Sequence, residues 1–382
     1  MRVQLLVPDM PDAAELLPWL RRIDANRWYT NFGPLAGELE ARLRGVLQAG
    51  REKPLHVTCV SNATAGIELA LTALGLRPGA RVLVPALTFV ATATAIVRAG
   101  FEPVVADVDA GTWTLTPAIA QAACAAMPID AVLTVATFGV PHEIAEWDAF
   151  GACTKVPTLI DAAGAWGNQR SDGHTPVIFS LHATKSLGAG EGGLIASTDP
   201  DLVSRIRRAS NFGINLDAEA TTPVGQVAQS GTNAKLSEYH AAVGLANLLR
   251  WNERAALRRT LMADMRARLA AVPGLEPVWQ QGGADLVRSL LCFGVASSAQ
   301  REAIEVACAR AGVATRRWYL PTLDRHPAFA ACNRIGELPV AKQLDATLIG
   351  LPFHLHFSTS DMETVIAAVE SGVTQSGAIA DS

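Results

Sequence analysis

Short apolar runs alternate with stretches of helical period along most of the chain. His56–Val60 (HVTCV) and Arg81–Pro85 (RVLVP) read as strands, as do PVVADV from Pro103, DAVLTVA from Asp130, PTLID from Pro157 and the run Val177–Phe179. Between them, residues 63–74 and about 88–98 carry their apolar positions at helical spacing. Such alternation predicts an α/β fold: a mainly parallel mixed sheet with helices on both faces. In that architecture ligands sit beyond the carboxyl ends of the strands.

The flanks read differently. Residues 1–27 predict a short extended arm and an amphipathic helix carrying Leu16, Leu17, Leu20 and Ile23. Asn31, Gly33 and Pro34 then make a turn, and Leu35, Leu39 and Leu43 restart a helix at four-residue spacing. A helix is expected from Ser237 to about Ala271, with a break near Trp251. Past Pro273 the pattern is mixed, with VRSLLCFGV from Val287 and a helix over 300–311. The chain thus divides into a large α/β domain, residues 1–250, and a smaller α+β domain, residues 251–382. The tail from Ser371 (SGVTQSGAIADS) is small and polar and is expected to fray.

Composition narrows the function classes. A chain of 382 residues, 49% of them hydrophobic, can fill a substantial core, and a net charge of −4 leaves no basic footprint for nucleic acid. Asp9, Asp12, Glu15, Pro8 and Pro11 make the N-terminus a poor signal peptide, and no apolar run reaches membrane-spanning length. The cytoplasm is the expected compartment. Six cysteines without C-x-x-C spacing are expected to be reduced, and His354 with His356 lacks the companion pair a metal site needs. No metal is expected.

Chemistry concentrates at strand ends. Lys185 stands between the Val177–Phe179 strand and the glycines Gly188, Gly190, Gly192 and Gly193. It reads either as a surface loop lysine or as an amine held for covalent chemistry. Asp161 ends PTLID; it suits a helix N-cap, and equally suits a partner for the protonated ring nitrogen of a pyridoxal-type cofactor. Ser61–Thr64 lie at a strand-to-helix junction, which is either a simple cap or an anion site. Phe89 can offer a ring face or fill core, and His182 can transfer protons or be structural.

Taken together, these segments resemble the DegT/StrS family of pyridoxal-phosphate sugar aminotransferases, of the type I aminotransferase fold. The markers are YTNFGPL (29–35), SNATAGIELAL (61–71), PALTFVATATAI (85–96), DAAGAWG (161–167), FSLHATKSLGAGEGG (179–193) and GTNAKLSEYHAA (231–242), in the family's order. The resemblance implies that Lys185 forms the Schiff base with pyridoxal 5'-phosphate, which passes through pyridoxamine 5'-phosphate during turnover. It also implies that Asp161 faces the pyridine nitrogen, that Thr64, Ala63 and Ser180 hold the phosphate, and that Phe89 stacks on the ring. Asn233 matches an asparagine that reaches the neighbouring subunit's cofactor, which implies a homodimer with shared active sites. His182, Lys235 and His326 are expected on the substrate side, with Arg316, Trp318 and Tyr319 as further lining residues.

Three positions depart from the family pattern. Gly164 stands where Gln is usual, Lys235 where Arg is usual and Leu181 where Phe is usual. Lys235 keeps the charge of the arginine but not its fork; packing is expected to absorb Leu181. The implied reaction moves an amino group from an amino acid, expected to be glutamate, to a nucleotide-linked keto-sugar. The pairing of HATK with GTNAKLSE resembles relatives acting on 4-keto-6-deoxy sugars more than those acting on 3-keto sugars, which implies the former as acceptor. The rival readings are a cyclitol aminotransferase or lyase of the same fold, and a non-catalytic ligand-binding regulator.

Overall fold

The computed structural model describes residues 3–380 apart from 52 and 284, with the side chains of 378–380 also outside the description. Two helices, α1 (Ala13–Asn26) and α2 (Pro34–Gln48), lead into β1 (His56–Val60) and α3 (Ala63–Ala73). Then come β2 (Arg81–Pro85), α4 (Val90–Arg98), β3 (Glu102–Ala106), α5 (Pro117–Ala126), β4 (Ala131–Val135) and α6 (Ile144–Thr154). β5 (Thr158–Asp161), β6 (Val177–Ser180) and β7 (Gly193–Ser197) follow, with α7 (Pro200–Ala209), α8 (Glu238–Leu249) and α9 (Trp251–Ala270) after them. The remainder holds β8 (Leu291–Gly294), α10 (Ser298–Arg310), β9 (Asn333–Arg334), α11 (Pro339–Thr347), β10 (Leu348–Leu351) and α12 (Thr359–Ala380).

Eight strands form one sheet in the order β1-β7-β6-β5-β4-β2-β3-β9, and β10 pairs with β8 in a second. In the large sheet only the β1–β7 and β6–β7 pairs are antiparallel, so β7 alone runs against the rest. The strands are apolar almost throughout because both faces are covered. Leu83, Val104 and Val132 pack into one core with α1, α2, α5 and α8, while the alternate residues Val82, Val84 and Leu133 pack into the other with α3, α4 and α7. A third core joins Met265 and Leu269 of α9 to Phe293, Ile304, Ile349 and Val369.

The expected helix break falls at Arg250, between α8 and α9, and Ser237 caps α8 by accepting from the His240 amide. Glu238 is buried and serves a different helix: its carboxylate accepts from Leu35 N and Ala36 N at 2.8 Å each, which closes the start of α2. Two expectations are corrected. Phe89 is the N-cap of α4 and not a residue inside its first turn. The tail does not fray at Ser371, since α12 continues to Ala380. A Cβ at Gly372 would lie 2.5 Å from Ile304 Cα, and Val373 is buried, so these small residues allow a close helix crossing with α10. Asp381 and Ser382 lie outside the described residues. Among the described residues no helix is long and apolar enough to cross a membrane.

One buried histidine supplies a pH test of the fold. His142 Nε2 lies 2.9 Å from Val135 O and 3.1 Å from Thr134 Oγ1, and burial pulls its pKa from 6.5 down to about 4. The folded state thus refuses a proton that the unfolded chain accepts between pH 6.5 and about 4. Stability is intact above pH 6.5 and falls as the pH drops through that window, by up to roughly 3 kcal/mol from this group. Urea midpoints of the wild type should fall across the window more steeply than those of His142→Gln; equal slopes would contradict the assignment.

Candidate active site

A cavity of about 710 Å³ opens at the carboxyl ends of β1, β4, β5 and β6. Its polar floor comes from Asp161 and Lys185. Asp161 is the last residue of β5, paired in register with Ile178 of β6 and Val135 of β4, and it is only 5% exposed. Its Oδ2 accepts from Thr92 Oγ1 at 2.8 Å and its Oδ1 from the Ala163 amide at 3.0 Å. Burial pushes its pKa up, while these two hydrogen bonds and the charge of Lys185 pull the other way. Lys185 follows β6 by five residues and keeps some of its surface open to the cavity. Burial of the amine pulls its pKa below the usual lysine value, and Asp161 opposes that shift. No protein group among the described residues takes a hydrogen bond from the Lys185 amine. A buried, unpartnered amine beside a carboxylate suits covalent carbonyl chemistry.

An anion cradle lies against this pair. Asn62 caps α3 by accepting from Ala65 N at 2.8 Å, and the amides of Ala63 and Thr64, at the first two helical positions, have no acceptor within the helix. Both residues line the cavity, as does Ser180, whose hydroxyl accepts from His182 N at 3.2 Å. Gly193 explains how β7 lies so near this junction. It is opposite both Val60 and Ser180, and a Cβ there would sit 2.7 Å from Asn62 C and 2.8 Å from Ala63 N.

The other expected residues separate into two groups. Phe89 (50% exposed), His182, Asn233, Trp318 and Tyr319 line the cavity. His182 Nδ1 accepts from the Thr184 amide at 3.2 Å, and its Nε2 lies 3.6 Å from Glu191 Oε1. Lys235 does not line it: the amine donates to Asn233 Oδ1 at 2.7 Å and lies over the Phe212 ring. His326 also stands away from the cavity, at the head of the short turn Pro327–Phe329. Arg316 lies behind Trp318, its guanidinium 4.5 Å from the ring. Leu181 is buried in the core. Gly164 lines the cavity, and a Cβ there would meet only Gly139 N at 3.9 Å, so packing leaves room for a larger side chain.

Sequence reading missed Thr92 and Phe138. Thr92 was findable, since Thr88 and Thr92 stand four apart at the start of a helix after a strand, and their hydroxyls lie 2.8 Å apart. Phe138 sits in a tight turn at φ 52°, a conformation its sequence does not signal. Among the described residues no group of three or more His, Cys, Asp or Glu is placed to hold a metal ion.

Comparison with known proteins gives this geometry a family. Residues 12–370 match the model of the DegT/DnrJ/EryC1/StrS aminotransferase family. The chain belongs to that family. It is a pyridoxal-phosphate-dependent aminotransferase, and the cavity's amine, buried carboxylate and anion cradle are groups that such a cofactor fits. The protein Rv3402c of Mycobacterium tuberculosis is 32% identical over 387 residues, covering 97% of this chain and 90% of that protein. Among solved structures, DesI in the presence of its TDP-sugar product is 30% identical with a TM-score of 0.85, covering 99% of this chain and 95% of the other. The aminotransferase TlmJ from Streptoalloteichus hindustanus is 27% identical with a TM-score of 0.84, covering 98% and 99%.

The close approach at Gly193 makes the cradle testable. In Gly193→Ala the added methyl must push the start of α3 away, because the atoms it meets are backbone. Affinity for pyridoxal phosphate should fall by about tenfold or more, the scale of a displaced charge-assisted contact, while Gly164→Ala should bind as the wild type does. Titration of the visible absorption of both variants checks this; equal affinities would show that the junction is not where the phosphate binds.

Proposed function

We propose that this aminotransferase moves an amino group from glutamate to a nucleotide-linked keto-sugar, with a 4-keto-6-deoxy sugar as the preferred acceptor. The observation that carries the reading is the Lys185–Asp161 pair, an amine and a carboxylate buried in one cavity within reach of each other's charge. When bound, pyridoxal phosphate supplies an electron sink that makes the carbon bearing the amino group acidic.

Each residue then has a task set by its place. Lys185 would hold the cofactor covalently, and its amine, placed in the cavity beside Asp161, is the group that would move a proton to and from the donor's α-carbon. Asp161, held by the Thr92 hydroxyl and the Ala163 amide, is the carboxylate that would meet the cofactor's ring nitrogen. The amides of Ala63 and Thr64 and the Ser180 hydroxyl would hold the phosphate, and Phe89 would offer its ring face to the cofactor. His182 and Glu191, at the mouth, face the substrate.

The acceptor class is supported by the likeness to DesI and by a cavity large enough for more than the cofactor. A homodimer is supported by exposed apolar side chains including Trp28, Tyr29, Phe212, Val227 and Tyr239, among which Tyr29 and Tyr239 stack with centroids 6.2 Å apart. In that dimer Asn233, which also lines the cavity of its own chain, would reach the neighbouring subunit's cofactor, with Lys235 donating to its side-chain oxygen. Six unpaired cysteines suit the reducing cytoplasm.

Purified protein should be yellow, and borohydride should fix the cofactor on the peptide that contains Lys185; Lys185→Ala should lose both properties and all turnover. Incubated with glutamate and TDP-4-keto-6-deoxyglucose, the wild type should yield 2-oxoglutarate and an amino sugar. Reaction only with inososes would instead favour cyclitol amination, and colourless protein that takes up no cofactor would end the Lys185 assignment.

A further inference from the structure

One wall of the cavity is a turn held by three side chains. In Thr137–Gly139, Phe138 at φ 52° and Gly139 at φ 87° are both left-handed, an arrangement that a bulky aromatic rarely adopts without external support. Each carbonyl of the turn receives a side-chain donor. Gln280 Nε2 donates to Thr137 O at 3.0 Å, Arg288 Nη1 to Phe138 O at 3.2 Å, and Asn168 Nδ2 to Gly139 O at 2.8 Å. The donors are tied together: Arg288 Nη1 also donates to Gln280 Oε1 at 3.0 Å, and Asn168 brackets Val287 through both its backbone groups.

Arg288 is the unexpected member. It is 8% exposed, and among the described residues no carboxylate forms a salt bridge with it. Burial lowers its pKa to about 10, so the guanidinium is still charged at neutral pH. A buried cation satisfied only by neutral oxygens carries a desolvation cost that no ion pair offsets. What the arginine does is fix the carbonyl of Phe138. The Phe138 ring stacks on Tyr319, with centroids 5.2 Å apart and planes 22° apart, and Tyr319 in turn lies 5.7 Å from Phe89. The Tyr319 hydroxyl makes no hydrogen bond with protein among the described residues, and the residue lines the cavity.

We propose that Arg288 is a positioning residue that, through the Thr137–Gly139 turn, holds the Phe138–Tyr319 wall in place for recognition of the sugar acceptor. The proposal rests on the sugar-acceptor reading of the cavity. Its consequence is that the Tyr319 hydroxyl is presented, unpaired, to a hydroxyl or carbonyl of the acceptor. The amino donor's exchange, carried by Lys185 and Asp161, does not depend on this wall.

Two measurements on the holoenzyme test it. The chain has three tyrosines, so 3-fluorotyrosine labelling gives three fluorine resonances, with Tyr319 assigned from Tyr319→Phe. Arg288→Met should shift or broaden the Tyr319 signal and leave those of Tyr29 and Tyr239 in place; Arg288→Lys should restore it in part. For the keto-sugar nucleotide that the wild type accepts, KM should rise about tenfold in Arg288→Met with kcat within about twofold, and the glutamate half-reaction should be unchanged. Phe138→Leu, which keeps the backbone bonds, should raise KM in the same way and so covers the case in which Arg288→Met fails to fold. An unmoved Tyr319 resonance in a folded Arg288→Met overturns the proposal, as does a fall in kcat with KM unchanged. If the wild type accepts no nucleotide-linked keto-sugar, the acceptor reading falls separately, and the fluorine spectrum alone decides whether Arg288 positions the wall.

Discussion

Two opposite charges share one poorly solvated floor, and the rest of the cavity is arranged to make that tolerable. Asp161 resists ionisation because it is buried, and Lys185 resists protonation for the same reason. Neither would hold its charge well alone. Their mutual attraction, and the two hydrogen bonds to Asp161, offset some of the desolvation cost without removing it. A site balanced in this way leaves the amine easier to deprotonate than a surface lysine, which nucleophilic attack requires. The parallel pairing of β5 with β6 sets the spacing, since Asp161 and Ile178 are register partners and the lysine loop starts just beyond Ser180.

The anion cradle depends on the same sheet through close approach. Gly193 begins β7 between Val60 and Ser180, and its missing side chain is what lets the Asn62–Ala63 peptide lie against that strand. Gly66, within the first turn of α3, acts similarly: a Cβ there would meet Ile195, Ile178 and Val60 at 3.2–3.3 Å. Helix α3 is therefore drawn down onto β1, β6 and β7, and its free amides are delivered to the edge where the lysine emerges. What these amides offer an anion is a property of helix placement more than of any one side chain.

How much of this the sequence disclosed follows from how local each feature is. The alternation of strands and helices and the placement of Asp161, Lys185 and Ser61–Thr64 just beyond strand ends were legible because buried parallel strands are continuous apolar runs. Thr92 was legible in principle from its spacing to Thr88. Phe138, Gln280 and Arg288 were not, because they meet only when the segment after α9 folds back over the cavity, some 150 residues from the turn it clamps. The tail was misread for a related reason: Gly372 is small because α10 crosses there, and small residues that serve packing look the same in a sequence as those of a loose end. His326 and Lys235 stand off the cavity of their own chain, and a role for either depends on surfaces beyond a single chain.

Gly164 connects these points to specificity. Room exists beside it, since a Cβ would meet only the Gly139 amide, and yet no side chain projects there. On that side the cavity is bounded by the clamped turn and by the aromatic rings of Phe138 and Tyr319. The shape of the cavity on this side is thus set by a segment remote from the lysine loop and its aspartate, and the turn there accepts a hydrogen bond from the buried Arg288. The motifs that mark the family and the residues that hold this wall lie on different stretches of chain. Substitutions around residues 280–320 can therefore reshape this wall while leaving Lys185 and Asp161 as they are, and so the motifs that mark the family do not define the cavity's far side.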